Sequence, residues 1–242
     1  MNRVILSFFL MLFSFTLFAQ LKPATTDTAW KKEYRETPSK INNLLHTKLD
    51  VRPDFSKSYL YGKAWLTLKP HFYATDSLTL DAKGMEFKKI ALVKGSQQLP
   101  LKYQYDDWQV RIKLDKTYKA NESYTIYIDY IAKPDEFEEK YAHGAMLGIK
   151  GMYFINPKGE EKDKPTQIWT QGETESSSAW FPTIDKTNQK TTQELTVTVD
   201  NKYVTLSNGR LVSQKKNTDG TRSDYWKMDL PHAPYLFFLG VG

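Results

Sequence analysis

The sequence contains no cysteine. No disulfide can staple this fold, and neither a thiolate metal site nor a cysteine nucleophile is available. Histidine is scarce: His46, His71, His143 and His232 are the four present. None has a His or Glu partner at the spacing of a helical metal site, and there is no His-Glu-x-x-His. His46 falls on the polar side of an alternating stretch and His232 in the turn Pro231-His-Ala-Pro234. Each reads as structural or solvated rather than as a ligand. There is no Gly-x-Ser-x-Gly elbow and no glycine-rich phosphate loop, so the chain presents no complete reactive centre. Between residues 44 and 130 no 3.6-residue apolar period persists, which leaves a helical or doubly wound reading without support. Basic stripes are missing too. The formal net charge is +6, but the lysines are scattered and an acidic run at 135–139 lies among them. The charge reads as solubility, not as a nucleic-acid footprint.

What is present begins with size. A chain of 242 residues with 40% hydrophobic content can bury a core that holds without cross-links. Arg3 precedes a nearly unbroken apolar run at 4–18, and Ala19-Gln20 follows. The run is short for a transmembrane helix and suits a signal peptide, so residues 1–19 are expected to direct export to the periplasm or outside the cell. The other reading is a retained N-terminal anchor. Residues 20–40 carry Pro23 and Pro38 with no sustained period and read as a linker.

From residue 41 the pattern is that of strands. Leu45, Thr47, Leu49 and Val51 alternate with His46, Lys48, Asp50 and Arg52, up to Pro53. Leu60, Gly62, Ala64, Leu66 and Leu68 do the same up to Pro70. Shorter alternating or apolar pieces follow around Leu78, Ile90, Tyr103, Ile112 and Ile128. Aromatic residues make up 14% of the chain, with 15 Tyr, and suit half-buried sheet faces. Short strands about ten residues apart, divided by turn residues, predict an all-β fold: an antiparallel sandwich or barrel. Lys133-Pro134 and the acidic run predict a turn or one turn of helix, and residues 152–155 a short buried strand. Leu195, Val197 and Val199 resume the alternation. Two strands flanking Asp219-Gly220 read as a hairpin. Residues 235–241 read as a buried strand, and a chain stopping there is expected to be a fragment.

One stretch, 168–185, differs in texture. It places Gln171, Glu173 and Glu175 between Trp169 and the triplet Trp180-Phe181-Pro182, without strand-like alternation. Polar groups between large aromatics suit a recognition site, because rings that exclude water strengthen the pull of a carboxylate on a cation. The plainer reading is a surface loop with solvated glutamates and aromatics that plug the nearby core.

These residues carry a resemblance. Thr170-Gln-Gly-Glu173, followed by Trp180-Phe-Pro182 and Asp185, resembles the substrate-loop motif of the aminopeptidase N family of zinc metallopeptidases. His46-Thr-Lys-Leu-Asp-Val51, Tyr61-Gly-Lys-Ala64, Leu206-Ser-Asn-Gly209 and Pro234-Tyr-Leu-Phe237 resemble further segments of that family in the same order. Residues 44–242 are covered, and the cysteine-free, aromatic-rich version looks like the exported bacterial branch.

The resemblance implies an N-terminal, saddle-shaped β-sandwich domain over 41–242. A catalytic domain that carries the zinc motif would be its partner and is absent from this chain. It implies that Gln171 and Glu173 help to bind the free α-amine of a peptide substrate. Zinc is the implied cofactor of the complete enzyme, with no ligands here and no catalytic residue in this chain. Three positions depart from the family pattern: Ser178 stands where many members have Arg, Thr183 where many have Cys, and Thr187 where Pro is frequent. Glu175 has no role in the family and reads as solvated. The alternatives are a complete, non-catalytic secreted β-sandwich module that binds ligands with a free amine, and, on aromatic content and export alone, a sugar-binding sandwich.

Overall fold

The computed structural model describes residues 37, 39–142 and 148–242. The expected signal peptide, most of the expected linker, and His143 lie outside the described residues. Residues from Pro38 to Gly242 form one compact unit.

The strands run in chain order as β1 (Asn42–Asp54), β2 (Tyr59–Pro70), β3 (Thr75–Asp81), β4 (Met85–Lys94) and β5 (Gln97–Pro100). There follow β6 (Tyr103–Tyr105), β7 (Gln109–Tyr118), β8 (Tyr124–Ala132), β9 (Met152–Ile155) and β10 (Gln167–Thr170). The last are β11 (Thr191–Asp200), β12 (Thr205–Ser207), β13 (Arg210–Lys216), β14 (Thr221–His232) and β15 (Leu239–Val241). They form an eight-stranded sheet in the order β13-β14-β11-β1-β2-β8-β4-β5, a four-stranded sheet β12-β15-β10-β9, and a three-stranded sheet β3-β7-β6. The all-β, sandwich-like class read from the alternation is the observed one.

Among the described strands, one pairing is not antiparallel. β1 lies parallel to β11, with His46 opposite Thr192 and Val51 opposite Val197. A parallel neighbour cannot be joined by a hairpin and requires a long crossover. Here the crossover is most of the domain, so β1 draws together segments about 145 residues apart. Nothing in the local alternation reveals such a pairing.

The core forms where the three sheets meet. Leu49, Leu60, Leu66, Ile128 and Leu195 of the large sheet lie in one cluster with Leu78, Leu80, Val110 and Ile112 of the three-stranded sheet and Ile168 and Leu239 of the four-stranded one. The predicted inward face of β2 is observed residue for residue. The face predicted for β1 is corrected at its start. Leu44 is buried and Leu45 is exposed, because the pairing with β2 shifts register between Leu44 and His46. That bulge inserts one residue and flips the side-chain phase. The single turn of helix expected near Pro134 is a helix of 8 residues, Pro134–Tyr141, with Pro at its first turn and Phe137 buried. The strand expected over 235–241 is shorter: a 3₁₀ turn takes Pro234–Leu236, and only Leu239–Val241 pairs.

Candidate substrate-binding loop

The stretch from Gln167 to Asp185 has three parts, each held differently. In the first, strand alternation continues past β10. Thr170 and Gly172 point inward, and Trp169, Gln171 and Glu173 point outward. Strand geometry puts outward side chains at every second residue, and the exposure of Trp169, Gln171 and Glu173 follows that period into the turn that begins at Glu173. The expectation of no alternation is thus corrected for 167–173. Gln171 N–H donates to the Gly151 carbonyl at 2.8 Å, which extends the pairing with the chain before β9.

Two glycines make the close approach possible. A Cβ on Gly172 would lie 2.2 Å from the Tyr235 carbonyl oxygen, and one on Gly151 would lie 1.8 Å from the Ser176 carbonyl oxygen. Gly151 also has φ +62°, which side chains rarely adopt.

The second part, 173–179, folds back on itself. Ser176 N–H donates to the Gly172 carbonyl at 2.8 Å, and a 3₁₀ turn spans Ser177–Ala179. Ser177 Oγ donates to the Pro234 carbonyl at 2.9 Å. Glu175 is not simply solvated. Its carboxylate accepts from Lys186 Nζ at 2.6 Å, and its carbonyl accepts from Lys83 Nζ.

The third part is core. Trp180 and Phe181 are completely buried. Phe181 stacks on Phe237 with ring centres 4.9 Å apart. Tyr130 Oη donates to the Trp180 carbonyl at 3.1 Å. Thr183 and Asp81 exchange backbone hydrogen bonds of 2.7 and 3.0 Å. Asp185 is 1% exposed, and its Oδ2 accepts from Ser178 N–H at 2.8 Å. Burial pushes the Asp185 carboxyl up to about 6, against the hydrogen bonds from Ser178 and the attraction of Lys83, with Asp81 adding to the rise. Burial likewise pulls Lys83 below the ordinary lysine range, against the attraction of Asp185, Asp81 and Glu175.

The aromatics therefore do not bracket the polar groups. Trp180 and Phe181 lie beneath the loop as its foundation, while Trp169 stacks on Tyr153 at the surface with ring centres 4.4 Å apart. Gln171 and Glu173 are exposed on the described chain. A cleft of about 160 Å³, bordered by Asp81, Gln109 and Lys186, includes neither of them. His232 Nε2 meets Gln193 Oε1 at 3.1 Å and its ring stacks on Phe237; His46 Nδ1 meets Thr192 Oγ1 at 2.7 Å. Among the described residues no group of three or more His, Asp or Glu could hold a metal ion. The described residues thus do not fit a zinc site.

The described residues form a three-sheet β domain with a backbone-held loop that exposes an amide and a carboxylate. Comparison with known proteins gives its family. Residues 42–236 match the model of the peptidase M1 N-terminal domain, and the chain belongs to that family. A search by sequence among curated proteins gave no match. Among solved structures, the M1 zinc metallopeptidase from Deinococcus radiodurans is similar at 17% identity and a TM-score of 0.69, over 84% of this chain and 42% of its own. A mutant of that enzyme bound to a Tyr-Ser-Ala substrate aligns at 16% identity and a TM-score of 0.70, over 86% of this chain and 44% of its own. A two-domain M1 zinc metallopeptidase mutant bound to L-tryptophan gives the same TM-score, 0.70, at 16% identity. At these identities the likeness is one of fold. The chain spans less than half the length of the structures it matches.

Proposed function

We propose that this chain is the N-terminal, substrate-side domain of an exported zinc-dependent aminopeptidase, and that Gln171 and Glu173 bind the free α-amine of its peptide substrates. The observation that carries the reading is the loop itself. It exposes Gln171 and Glu173 on a backbone tied to Gly151, Pro234, Lys83 and Asp185. A protonated amine has three donors; a carboxylate accepts them with charge assistance, and an amide oxygen adds a neutral acceptor. Holding that amine fixes where the first peptide bond lies, which limits cleavage to one residue from the end. Zinc, which the described residues do not fit, belongs in this reading to a C-terminal catalytic domain. The apolar run at 4–18 supports export to the periplasm or beyond.

On the isolated face Glu173 is in water, where one ion pair contributes little. The reading therefore requires the partner domain to wall the loop off. In the complete enzyme Glu173→Ala is expected to raise KM for free-amine substrates by about 10- to 100-fold, the range of a charge-assisted hydrogen bond. Gln171→Ala is expected to act in the same direction and less. Steady-state kinetics on an aminoacyl substrate checks both, and unchanged kinetics in Glu173→Ala would remove the amine-binding role.

A further inference from the structure

Glu173 can select an amine only if its backbone stays put, and that backbone is held by the buried Asp185 and the partly buried Lys83 rather than by the residues that would meet a ligand. We propose that Asp185 and Lys83 are positioning residues for this loop: they clamp the 175–178 backbone from below, so that Gln171 and Glu173 meet a substrate amine in fixed register. The inference rests on the amine-binding reading above.

The clamp grips one residue, Ser178, by both its N–H and its carbonyl. Ser178 N–H donates to Asp185 Oδ2 at 2.8 Å, and the Ser178 carbonyl accepts Lys83 N–H at 2.8 Å. Lys83 Nζ reaches further and donates to the carbonyl of Glu175, two residues from Glu173. The jaws are themselves fixed. Asp185 N–H donates to Asp81 Oδ2 at 2.9 Å, and Asp81 Oδ1 accepts from Gln109 Nε2 at 2.9 Å. Asp81 ends β3 and Gln109 begins β7, so the loop is referred to the core rather than to the surface.

Stability alone does not account for this arrangement. Asp185 is almost fully buried, no lysine or arginine nitrogen lies within ion-pair distance of it among the described residues, and its Oδ1 has no hydrogen-bond partner. An apolar or neutral side chain in such a place is generally as stable or more so. A carboxylate kept there despite that cost is explained by what it holds. The charged groups that act on it are Lys83, Asp81 and Lys186, and Glu175 and Lys186 face Lys83 in turn.

The test is kinetic, on the complete enzyme. KM and kcat for a free-amine aminoacyl substrate are measured between about pH 5 and about pH 8 for wild type, Asp185→Ala, Asp185→Asn and Lys83→Met. The wild-type KM should climb as the pH falls through the Asp185 transition, when the carboxyl loses the charge that faces Ser178 and Lys83. Asp185→Asn, which keeps an acceptor for Ser178 but no charge, should lose that step and sit about 3- to 10-fold above wild type in KM near neutral pH, with kcat within about twofold. Asp185→Ala should be worse than Asn, and Lys83→Met should also raise KM. Should the alanine variant fail to fold, the asparagine and methionine variants carry the test. Wild-type KM and an unaltered pH profile in both would overturn the clamp, as would a fall in kcat at unchanged KM.

Hydrogen exchange of the 173–178 amides in the same variants needs no activity. Exchange faster by about tenfold in Lys83→Met supports the clamp even if Glu173→Ala shows that no amine is bound, and unchanged exchange overturns it.

Discussion

Gly62 has no side chain because Tyr130 fills the space. The two face each other across β2 and β8, and a Cβ on Gly62 would lie 2.2 Å from Cζ of the tyrosine ring. The ring crosses the sheet and spends its hydroxyl on the Trp180 carbonyl, so a glycine in one strand supports a loop far along the chain. Tyr130→Phe should cost about 1–3 kcal/mol, the loss of one buried hydrogen bond with its acceptor left unpaired. Gly62→Ala should cost more, since the ring must move. Urea unfolding of both variants measures the order, and a neutral Gly62→Ala would contradict the packing. Asp185 gives a second residue-scale expectation. Its folded-state pKa is raised from 3.8 to about 6, so the native state holds the proton more tightly than the unfolded chain does. The resulting stability is fully present below about pH 4 and is lost as the pH rises through about 6. Asp185→Asn should remove that slope and gain on the order of 2 kcal/mol near pH 8 relative to wild type. Melting curves across that range check it; a slope that survives in the asparagine variant would assign it to other groups.

At the scale of elements, β1 shows what a pattern can and cannot carry. Its inward set from Thr47 onward follows from alternation, but the bulge at Leu44/His46 leaves the composition unchanged and reverses the phase before it. Leu44→Ala should therefore cost about 2–5 kcal/mol, while Leu45→Ala, on a side chain 37% exposed, should cost under about 1 kcal/mol. Equal losses in thermal unfolding would place the bulge elsewhere. The same limit explains the rest. Strands were legible because burial on one face imposes a period of two. The parallel β1–β11 pair was not, because it depends on a partner distant in sequence. In the loop, the types and spacing of Gln171 and Glu173 stand out, and of the two readings of Trp180 and Phe181 the plainer one, aromatics that plug the core, is the observed one. Aromatics near carboxylates look alike in sequence whether they wall a pocket or floor it. Lys83 and Asp81 give no signal at all, since they come to Asp185 from the end of β3 and the turn after it, far away in sequence. Strand β13 is exposed along its whole length and carries Arg210, Lys215 and Lys216, cations that discourage pairing at this edge of the large sheet.

For the molecule as a whole, three sheets share one core and leave the loop on a fixed foundation. The chain belongs to the M1 N-terminal family and spans less than half the length of the solved metallopeptidases it matches. The amine-binding account makes one demand that no general peptide-binding module would make: the ligand must have a free N-terminus. The most direct measurement is product analysis with the complete natural gene product on one peptide supplied in two forms, with a free amine and N-acetylated. The account predicts stepwise release of single residues from the free end and no comparable release from the acetylated peptide. Equal cleavage of both forms, or cuts within the peptide, would contradict it.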